Sequence, residues 1–161
     1  MEKSGYMMRT VANQRLPIYK QIGLTLKQYR DSNYIKDNEK IFVKKFTRMG
    51  YEIKWIPRDK MKSVRLGYLP TNDFIWRGKE WELKSPKVKK YNSIFNMIRR
   101  GARKGKKNFI IDLWKSVLRP KLLSKLSTYN IRNFSNPISV LYVVDKESLT
   151  KVFLIKEVRK K

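Results

Sequence analysis

The stretch PTNDFIWRGKEWELKSP, residues 70–86, decides how the rest of this chain is interpreted. It contains two β-favouring runs, FIW at residues 74–76 and WEL at residues 81–83. Between them, RGKE at residues 77–80 supplies a glycine for a tight turn. The pattern therefore predicts a β-hairpin.

The length of the turn sets which side chains share a face of this hairpin. In a two-residue loop, whether Gly78 is its first or its second residue, Asp73 lies opposite Lys84 or opposite Glu82. Alternation then places Asp73, Glu82 and Lys84 on one face. The other face takes the large apolar side chains, which are Phe74, Trp76, Trp81 and Leu83. A three-residue loop without a bulge would break this arrangement.

The shared face brings two carboxylates together. Side chains on adjacent strands are roughly 5 Å apart when directly opposed and up to about 8 Å apart on the diagonal, so Asp73 and Glu82 would repel each other unless a cation lay between them. The arrangement calls for a divalent metal, for Lys84, or for both, and Mg²⁺ is an ion that carboxylate oxygens bind. The alternative is an ordinary sheet with one face in water.

The composition predicts a globular domain with a polyanionic partner. The chain has 161 residues, of which 41% are hydrophobic and 12% aromatic, enough for one domain with a core. It carries 39 Lys and Arg against 13 Asp and Glu, a net charge of +26. Because the basic residues are spread along the chain and no apolar run approaches the roughly 20 residues of a bilayer span, we expect nucleic acid and no membrane. There is no signal peptide, and we expect a cytoplasmic site of action.

The missing residue types narrow the chemistry. With no His and no Cys, the usual zinc sites, His-dependent HNH nucleases, thiol nucleophiles and the His acid–base pair of many ribonucleases are excluded. Carboxylates, Lys, Tyr, Ser and Thr remain. A phosphodiesterase built from them must use a metal ion, or Lys and Glu.

The hairpin also carries a family resemblance. Asp73 followed by Glu82-Leu83-Lys84 resembles the D…ExK half of the PD-(D/E)xK nuclease signature, with Asn72 where the Pro would stand. The run NDFIWRGKEWELKSP, then SIFNMIRRGARKGKKNFIIDL at residues 93–113, is similar to the C-terminal nuclease domain of CdiA contact-dependent inhibition toxins. The likeness covers roughly residues 39–113. Members of that family are tRNA nucleases, and related domains occur on other bacterial toxins and on phage proteins.

The resemblance implies both a fold and roles for particular residues. The fold is α/β, a restriction-endonuclease-like αβββαβ core with a mixed central sheet flanked by helices. Asp73 and Glu82 would hold Mg²⁺ or Mn²⁺, and Lys84 would orient the attacking water or stabilise developing charge. Glu39 is the candidate for the first-helix Glu that often faces the metal in this superfamily. The alternative for Glu39 is an acid placed favourably at a helix N-terminus.

The domain organisation follows from the positions of helices. Residues 1–34 are interpreted as an N-terminal helical extension with a helix from about residue 16 to residue 30, and residues 35–161 as the nuclease domain. A second helix, capped by Asp37 or Asn38, runs to Met49 and stops at Gly50. Residues 51–56 alternate as a strand, and residues 58–69 form a basic loop before the hairpin.

The stretch after the hairpin is the most unbalanced in charge, because residues 86–107 hold nine Lys or Arg and no acid. Asn92 or Ser93 caps a predicted helix there. Its inner arc is Ile94, Met97, Ile98 and Gly101. The opposite arc carries Asn96, Arg99, Arg100 and Arg103, with Lys104 next to them. A row of cations without compensating acids is interpreted as a phosphate track, and the alternative is a solvated face.

The remaining elements complete an α/β pattern. Residues 108–114 predict a buried strand, in which Asp112 either supports the site or has a structural role near the strand end, the preferred interpretation. Residues 120–129 predict a short helix, and residues 138–144 and 152–155 a final hairpin. Trp76 and Trp81 are expected in the core, with base stacking as the alternative.

The leading hypothesis is a metal-dependent endonuclease of PD-(D/E)xK type, favoured as a tRNA-cleaving toxin that an acidic immunity or inhibitor protein would neutralise. Three alternatives stay open. They are a DNA endonuclease of a phage or mobile element, a metal-free ribonuclease using Lys84 and Glu82, and a non-catalytic basic nucleic-acid-binding protein.

Overall fold

A computed structural model of the chain describes residues 16–57 and 72–156. By its contacts the chain divides into two compact units, Met1–Glu80 and Trp81–Lys161. The basic loop predicted at residues 58–69 lies outside the described residues.

The described residues form an α/β structure with a mixed six-stranded sheet, as predicted for the fold class. The strands, in chain order, are β1 Lys54–Trp55, β2 Phe74–Trp76, β3 Lys79–Lys84, β4 Asn108–Asp112, β5 Val140–Val144 and β6 Leu149–Val152, and the sheet keeps this order. β1 and β2 are antiparallel, β3, β4 and β5 are parallel, and β6 is antiparallel to β5. Within the described part of the chain, no helix combines the length and the apolarity needed to cross a bilayer.

Two short helices occur in the first unit where the sequence predicted one helix over residues 16–30. They are α1 Ile18–Gln21 and α2 Leu26–Arg30, so that prediction was wrong. The interruption has a local cause, because Gly23 takes a positive φ of 83°. Thr25 then caps α2, since its hydroxyl accepts the Gln28 N–H and its own N–H donates to the Gln28 side chain.

Hydrogen bonds tie the end of α1 to β1. The Trp55 N–H donates to the Ile22 carbonyl at 2.8 Å, and the Lys54 ammonium donates to the Gln21 carbonyl at 3.3 Å. The Trp55 indole donates to the Tyr34 carbonyl at 3.0 Å. Residues 21–34 therefore pack within the first unit, while the predicted boundary after residue 34 stays a prediction.

The next helix, α3 Asp37–Arg48, matches its predicted extent. Its N-cap position is occupied by Lys36, not by Asp37 or Asn38, so the predicted cap was wrong. The reason is that Glu39 reaches back and accepts the Lys36 N–H at 2.8 Å. Gly50 follows the helix with a φ of 102°, the predicted stop. The strand predicted over residues 51–56 is shorter, since the continuous pairing covers Lys54–Trp55, with an isolated bridge at Tyr51.

Aromatic side chains fill the core of the first unit. Phe42 and Phe46 of α3 stack at 4.9 Å between ring centroids. Phe46 meets Trp76 edge-on at 5.0 Å, and Trp55 stacks on Phe74 at 5.8 Å. Such pairs contribute about 0.5–1.5 kcal/mol each beyond their burial. The expectation that Trp76 belongs to the core is confirmed.

Three helices cover one face of the sheet in the second unit. They are α4 Tyr91–Arg103, α5 Pro120–Leu126 and α6 Tyr129–Arg132, where the sequence predicted one helix instead of two over residues 120–129. The buried cluster between helices and sheet includes Ile94, Ile98, Phe109, Leu126, Tyr129, Leu141 and Val143. Trp81 is buried in ring contact with Tyr142 at 5.5 Å, so its predicted core role is also confirmed.

A hairpin of β5 and β6 ends the second unit. Its first strand falls within the predicted residues 138–144, but β6 begins at Leu149 and not at residue 152. Asp145 explains the tight turn, because its carboxylate accepts the N–H groups of Glu147 and Ser148 at 2.9 and 2.8 Å. It also accepts the Leu118 N–H at 2.9 Å, which ties the turn to the preceding loop.

Candidate active site on strand β3

The turn before β3 has the predicted two-residue form, with Gly78 as its second residue. Arg77 and Gly78 have positive φ values of 55° and 73°, as a two-residue hairpin loop of type I′ requires. The Arg77 guanidinium lies over the Trp76 ring at 4.6 Å. In β3 the predicted alternation is observed within the strand, since Trp81 and Leu83 are buried while Glu82 and Lys84 are half-buried.

Glu82 lies between two ammonium groups. The Lys84 Nζ is 3.1 Å from its Oε2, and the Lys106 Nζ is 3.2 Å from its Oε1. The Lys106 ammonium group is close enough to Glu82 Oε1 for an ion pair but is not in hydrogen-bonding geometry. The buried Glu82 Oε1 therefore accepts no hydrogen bond. Each of the two Glu82 carboxylate oxygens therefore has an ammonium group beside it.

The strand register places this cluster under α4. Glu82 is the β3 partner of Phe109 and Lys84 is the partner of Ile111 in β4. Phe109 and Ile111 belong to the buried cluster that α4 covers. Since paired residues of neighbouring strands share a face, Glu82 and Lys84 lie on the same side of the sheet as α4.

The sequence analysis missed Lys106, and the end of α4 explains its position. The Gly105 N–H donates to the Ala102 carbonyl and the Lys106 N–H to the Gly101 carbonyl, at 3.0 and 3.1 Å. With Gly105 at a φ of 91°, this is a Schellman motif. The available signal was Gly105 itself, which predicts the helix end, but the contact with Glu82 joins residues distant in the sequence.

Gly101 lets α4 pack directly on β4 beside this cluster. A Cβ at Gly101 would lie 2.8 Å from the Phe109 ring and 3.7 Å from the Lys84 Cε. The first distance is shorter than van der Waals contact permits. Gly101 therefore lies on the inner side of the helix, as predicted, and the close Phe109 ring leaves room there for a hydrogen atom but not for a Cβ.

Asp73 and Glu39, the other predicted catalytic residues, belong to the first unit. Asp73 precedes β2, is 3% exposed, and its carbonyl accepts the Ile56 N–H at 2.8 Å. Glu39 is buried in the first turn of α3, and the capping bond to Lys36 gives it the structural role named as its alternative. The metal-binding role of Asp73 and the catalytic role of Glu39 stay predictions.

The donor chemistry of Glu82 suits a divalent cation, because a hard ion prefers carboxylate oxygens and Glu82 Oε1 accepts no hydrogen bond. Lys84 and Lys106 would compete with such an ion for the two oxygens. Among residues 16–57 and 72–156, no group of three or more Asp or Glu side chains is placed to hold a metal.

The predicted phosphate row on α4 is uneven in exposure. Asn96 and Arg99 are half-buried, with the Arg99 Nη2 donating to Asn96 Oδ1 at 3.3 Å and the Arg99 guanidinium 5.8 Å from the Phe95 ring centroid. Arg100, Arg103 and Lys104 are exposed. No Asp or Glu of the described ranges forms an ion pair with any of these cations. The exposed end of the row therefore presents uncompensated positive charge.

Asp112 and the buried tyrosines have structural explanations. Asp112 Oδ1 accepts the Trp114 N–H at 2.9 Å, a local contact that fits the preferred structural role at the end of β4. Burial raises the pKa of Tyr129, against the opposing effects of Asn133, Arg99 and Arg103. Because a raised pKa keeps a phenol protonated at neutral pH, Tyr129 is a poor candidate for a general base.

The comparisons with known proteins add no relative. Neither the protein-family models, nor the curated proteins, nor the solved structures gave a match to this chain.

Proposed function

We propose that this chain is a metal-dependent endonuclease of PD-(D/E)xK type, with tRNA as its favoured substrate and a toxin domain as its biological role. The observation that carries the proposal is the E-x-K pair of β3, Glu82 and Lys84, which are ion-paired at 3.1 Å. Among the described residues, the element order supports it, because α3, β1, β2, β3, α4 and β4 occur in the order of an αβββαβ core.

In this proposal each side chain has a separate task. Glu82 is a ligand of Mg²⁺ or Mn²⁺, and Asp73 joins it on the ground of the sequence signature. When bound, the metal lowers the pKa of a bound water and offsets charge on the phosphate. Lys84 orients the attacking water or stabilises developing charge, and Lys106 restrains the second Glu82 oxygen from 3.2 Å.

The surroundings of Glu82 and Lys84 favour a polyanionic substrate. Gly101 of α4 lies against the Lys84 side chain, and the exposed Arg100, Arg103 and Lys104 surround that end of the helix. Cations without acidic partners attract phosphates by releasing the counterions of the nucleic acid. In this proposal the exposed cations of α4 hold the backbone phosphates of the substrate.

The test is cleavage of tRNA and of duplex DNA, each with and without Mg²⁺. We expect Mg²⁺-dependent cleavage of tRNA and at least a hundredfold loss in Glu82→Gln, because a carboxamide lacks the charge that binds the metal. Glu147→Gln is the matched control, since Glu147 is an exposed Glu of the same unit. Unchanged cleavage by a correctly folded Glu82→Gln protein would end the assignment, and cleavage of duplex DNA alone would favour the DNA endonuclease.

The two ammonium groups beside Glu82 favour a second candidate, a metal-free ribonuclease. Glu82 would take the proton of a ribose 2′-hydroxyl, whose oxygen attacks the phosphorus. Lys84 or Lys106 would give a proton to the departing 5′-oxygen, leaving a 2′,3′-cyclic phosphate. Cleavage that persists in EDTA with that end would select this mechanism, whereas a 5′-phosphate and loss of activity in EDTA would select the metal-dependent one.

The non-catalytic alternative predicts salt-sensitive binding without strand scission. A chain of net charge +26 that acts as a toxin would also need an acidic inhibitor in the producing cell. Binding of tRNA without any cleavage under both metal conditions would favour the binding protein.

A further inference from the structure

A groove beside β5 and β6 is unexplained by the site around Glu82. Its volume is about 640 Å³, within the range of about 300–1,000 Å³ typical of ligand pockets. Its most prominent lining residues are Phe134, Pro137, Lys151, Phe153 and Lys156. All of them belong to the second unit.

Two phenylalanine side chains that line this groove are exposed to solvent. Phe134 is 83% exposed and Phe153 is 87% exposed, the highest values among the large hydrophobic residues described. In the free protein, an exposed aromatic ring receives no hydrophobic stabilisation because it is not buried. Two of them lining one groove indicate a surface that binds a partner with flat apolar faces.

The segments that carry the rings are anchored. Asn130 holds Ile138 through two hydrogen bonds, donating from Nδ2 to its carbonyl and accepting its N–H, at 2.9 and 2.8 Å. Phe153 follows the buried Val152 and precedes Ile155 by two residues. The Ile155 N–H donates to the Ser127 carbonyl at 2.9 Å. The rings are therefore presented on ordered backbone, which lowers the entropy lost when a ligand binds.

The charges of the groove select an anionic occupant. Lys151 and Lys156 line it, and the described lining residues include no Asp or Glu. The Lys107 ammonium lies at its rim, 3.0 Å from the Pro137 carbonyl. An apolar ring beside an ammonium group matches a nucleobase beside its phosphate. An acidic protein segment has the charge but offers no repeated flat rings.

We propose that this groove binds unpaired nucleotides of a nucleic acid strand, with one base stacked on each of Phe134 and Phe153 and phosphates near Lys151 and Lys156. Base pairs in a duplex hide the faces of their bases, so the groove discriminates single strands and loops from continuous duplex. Lys106 contacts Glu82 and the consecutive Lys107 contacts the groove rim, so one short segment of the chain takes part in both places.

The proposal concerns binding, so it is tested without cleavage. The background is the Glu82→Gln full chain in EDTA, and the probes are a fluorescent 12-nucleotide single strand and a blunt duplex of the same sequence. We expect Phe134→Ala and Phe153→Ala each to weaken single-strand binding about tenfold, with duplex binding unchanged within about twofold. Both rings are exposed, so the variants should unfold at the parental temperature.

Two controls separate stacking from other effects. Val117→Ala removes an exposed apolar side chain elsewhere in the unit and should change neither affinity. Lys151→Ala should weaken single-strand binding and lower the salt slope by about one, while Lys121→Ala on α5 keeps the preference for single strands. Equal losses on both probes, or no loss in either Phe variant, would overturn the proposal. In the second case the groove would be assigned to a protein partner.

Discussion

At the scale of single residues, the two ammonium groups beside Glu82 differ in exposure. The Lys84 side chain is 24% exposed, whereas that of Lys106 is 5% exposed. A buried ammonium group is costly unless a charge of opposite sign is near. Lys106 therefore approaches the carboxylate from the less accessible side.

This asymmetry gives a prediction for Lys106→Met, which removes the charge and keeps a similar apolar stem. We expect kcat for tRNA cleavage to fall at least tenfold with KM little changed, because the carboxylate loses a neighbour that fixes its position. Lys104→Met is the control, since exposed Lys104 should affect KM alone. Single-turnover and steady-state rates measure the two effects, and an unaltered kcat in Lys106→Met would remove Lys106 from the proposed site.

Asp145 gives a prediction about stability and pH. Burial by itself would raise its pKa, but hydrogen bonds from the backbone N–H groups of Leu118, Glu147 and Ser148 hold the pKa below the ordinary 3.8. A pKa that is lower in the folded state stabilises the fold above the unfolded value, and this stabilisation is lost as the pH falls through the folded value.

We therefore expect Asp145→Asn to destabilise the protein by about 1–3 kcal/mol at pH 7, since bonds to a charged acceptor are lost. The difference should shrink below pH 3.8 as the parent carboxylate gains its proton. Thermal unfolding at pH 7 and pH 2.5 measures both, with Glu147→Gln as the exposed control. A difference that does not depend on pH would contradict this account.

Residue types and alternation predicted part of the candidate site. Glu82 and Lys84 are two positions apart on one strand, so a period of two suffices to place them together. Lys106 approaches Glu82 only after a crossover through α4, and no local pattern encodes that approach. The sequence was therefore sufficient for the E-x-K pair and insufficient for its third member.

At the scale of elements, local backbone conformation limited the predictions. Apolar spacing predicted one helix across residues 16–30, but the left-handed Gly23 and the cap at Thr25 divide it. Periodicity describes side-chain faces and carries no information on the sign of φ. At Gly50 the prediction that glycine ends the helix was correct, because the apolar stripe of α3 ends at the same point.

Packing between elements gives a prediction for Gly101→Ala. Alanine favours a helix over glycine by about 1 kcal/mol, but its Cβ would lie 2.8 Å from the fully buried Phe109 ring. Overpacking costs about 1–3 kcal/mol, so we expect a net loss of about 1 kcal/mol in the free energy of unfolding. Urea unfolding measures it, with the exposed Asn92→Ala on the same helix as control. A stabilised Gly101→Ala protein would show that the ring yields.

At the scale of the whole molecule, composition predicted the class of structure but not its division. The hydrophobic fraction indicated a domain with a core and the alternation of helix and strand patterns an α/β class, whereas the mixed sheet was implied by the family resemblance; the α/β class and the mixed sheet are both observed. The division after Glu80 falls inside β3, where neither Gly, Pro nor a change in composition marks it. Units that are defined by long-range contacts need not be marked by any feature of a short stretch of sequence.

Net charge is the property of the whole chain that most directly governs function, and it gives the final prediction. With +26 overall, affinity for any polynucleotide should fall steeply with salt, so the informative quantity is the slope of log Kd against log[salt]. Replacing Arg100, Arg103 and Lys104 together by Gln should lower that slope by about two to three, because three phosphate contacts are lost. Binding of a Glu82→Gln protein in EDTA at several salt concentrations measures it.

The matched control for that experiment removes an equal number of positive charges from two other helices of the second unit. Replacing Lys121, Lys125 and Arg132 by Gln takes three cations from α5 and α6, so the net charge changes equally in the two triple variants. If only general attraction matters, both variants lose the same slope. We expect a larger loss at α4, since the proposed phosphate contacts are made by Arg100, Arg103 and Lys104 and not by the cations of α5 and α6. Equal slopes would leave the basic character of the chain as attraction at a distance, with no phosphate track on α4.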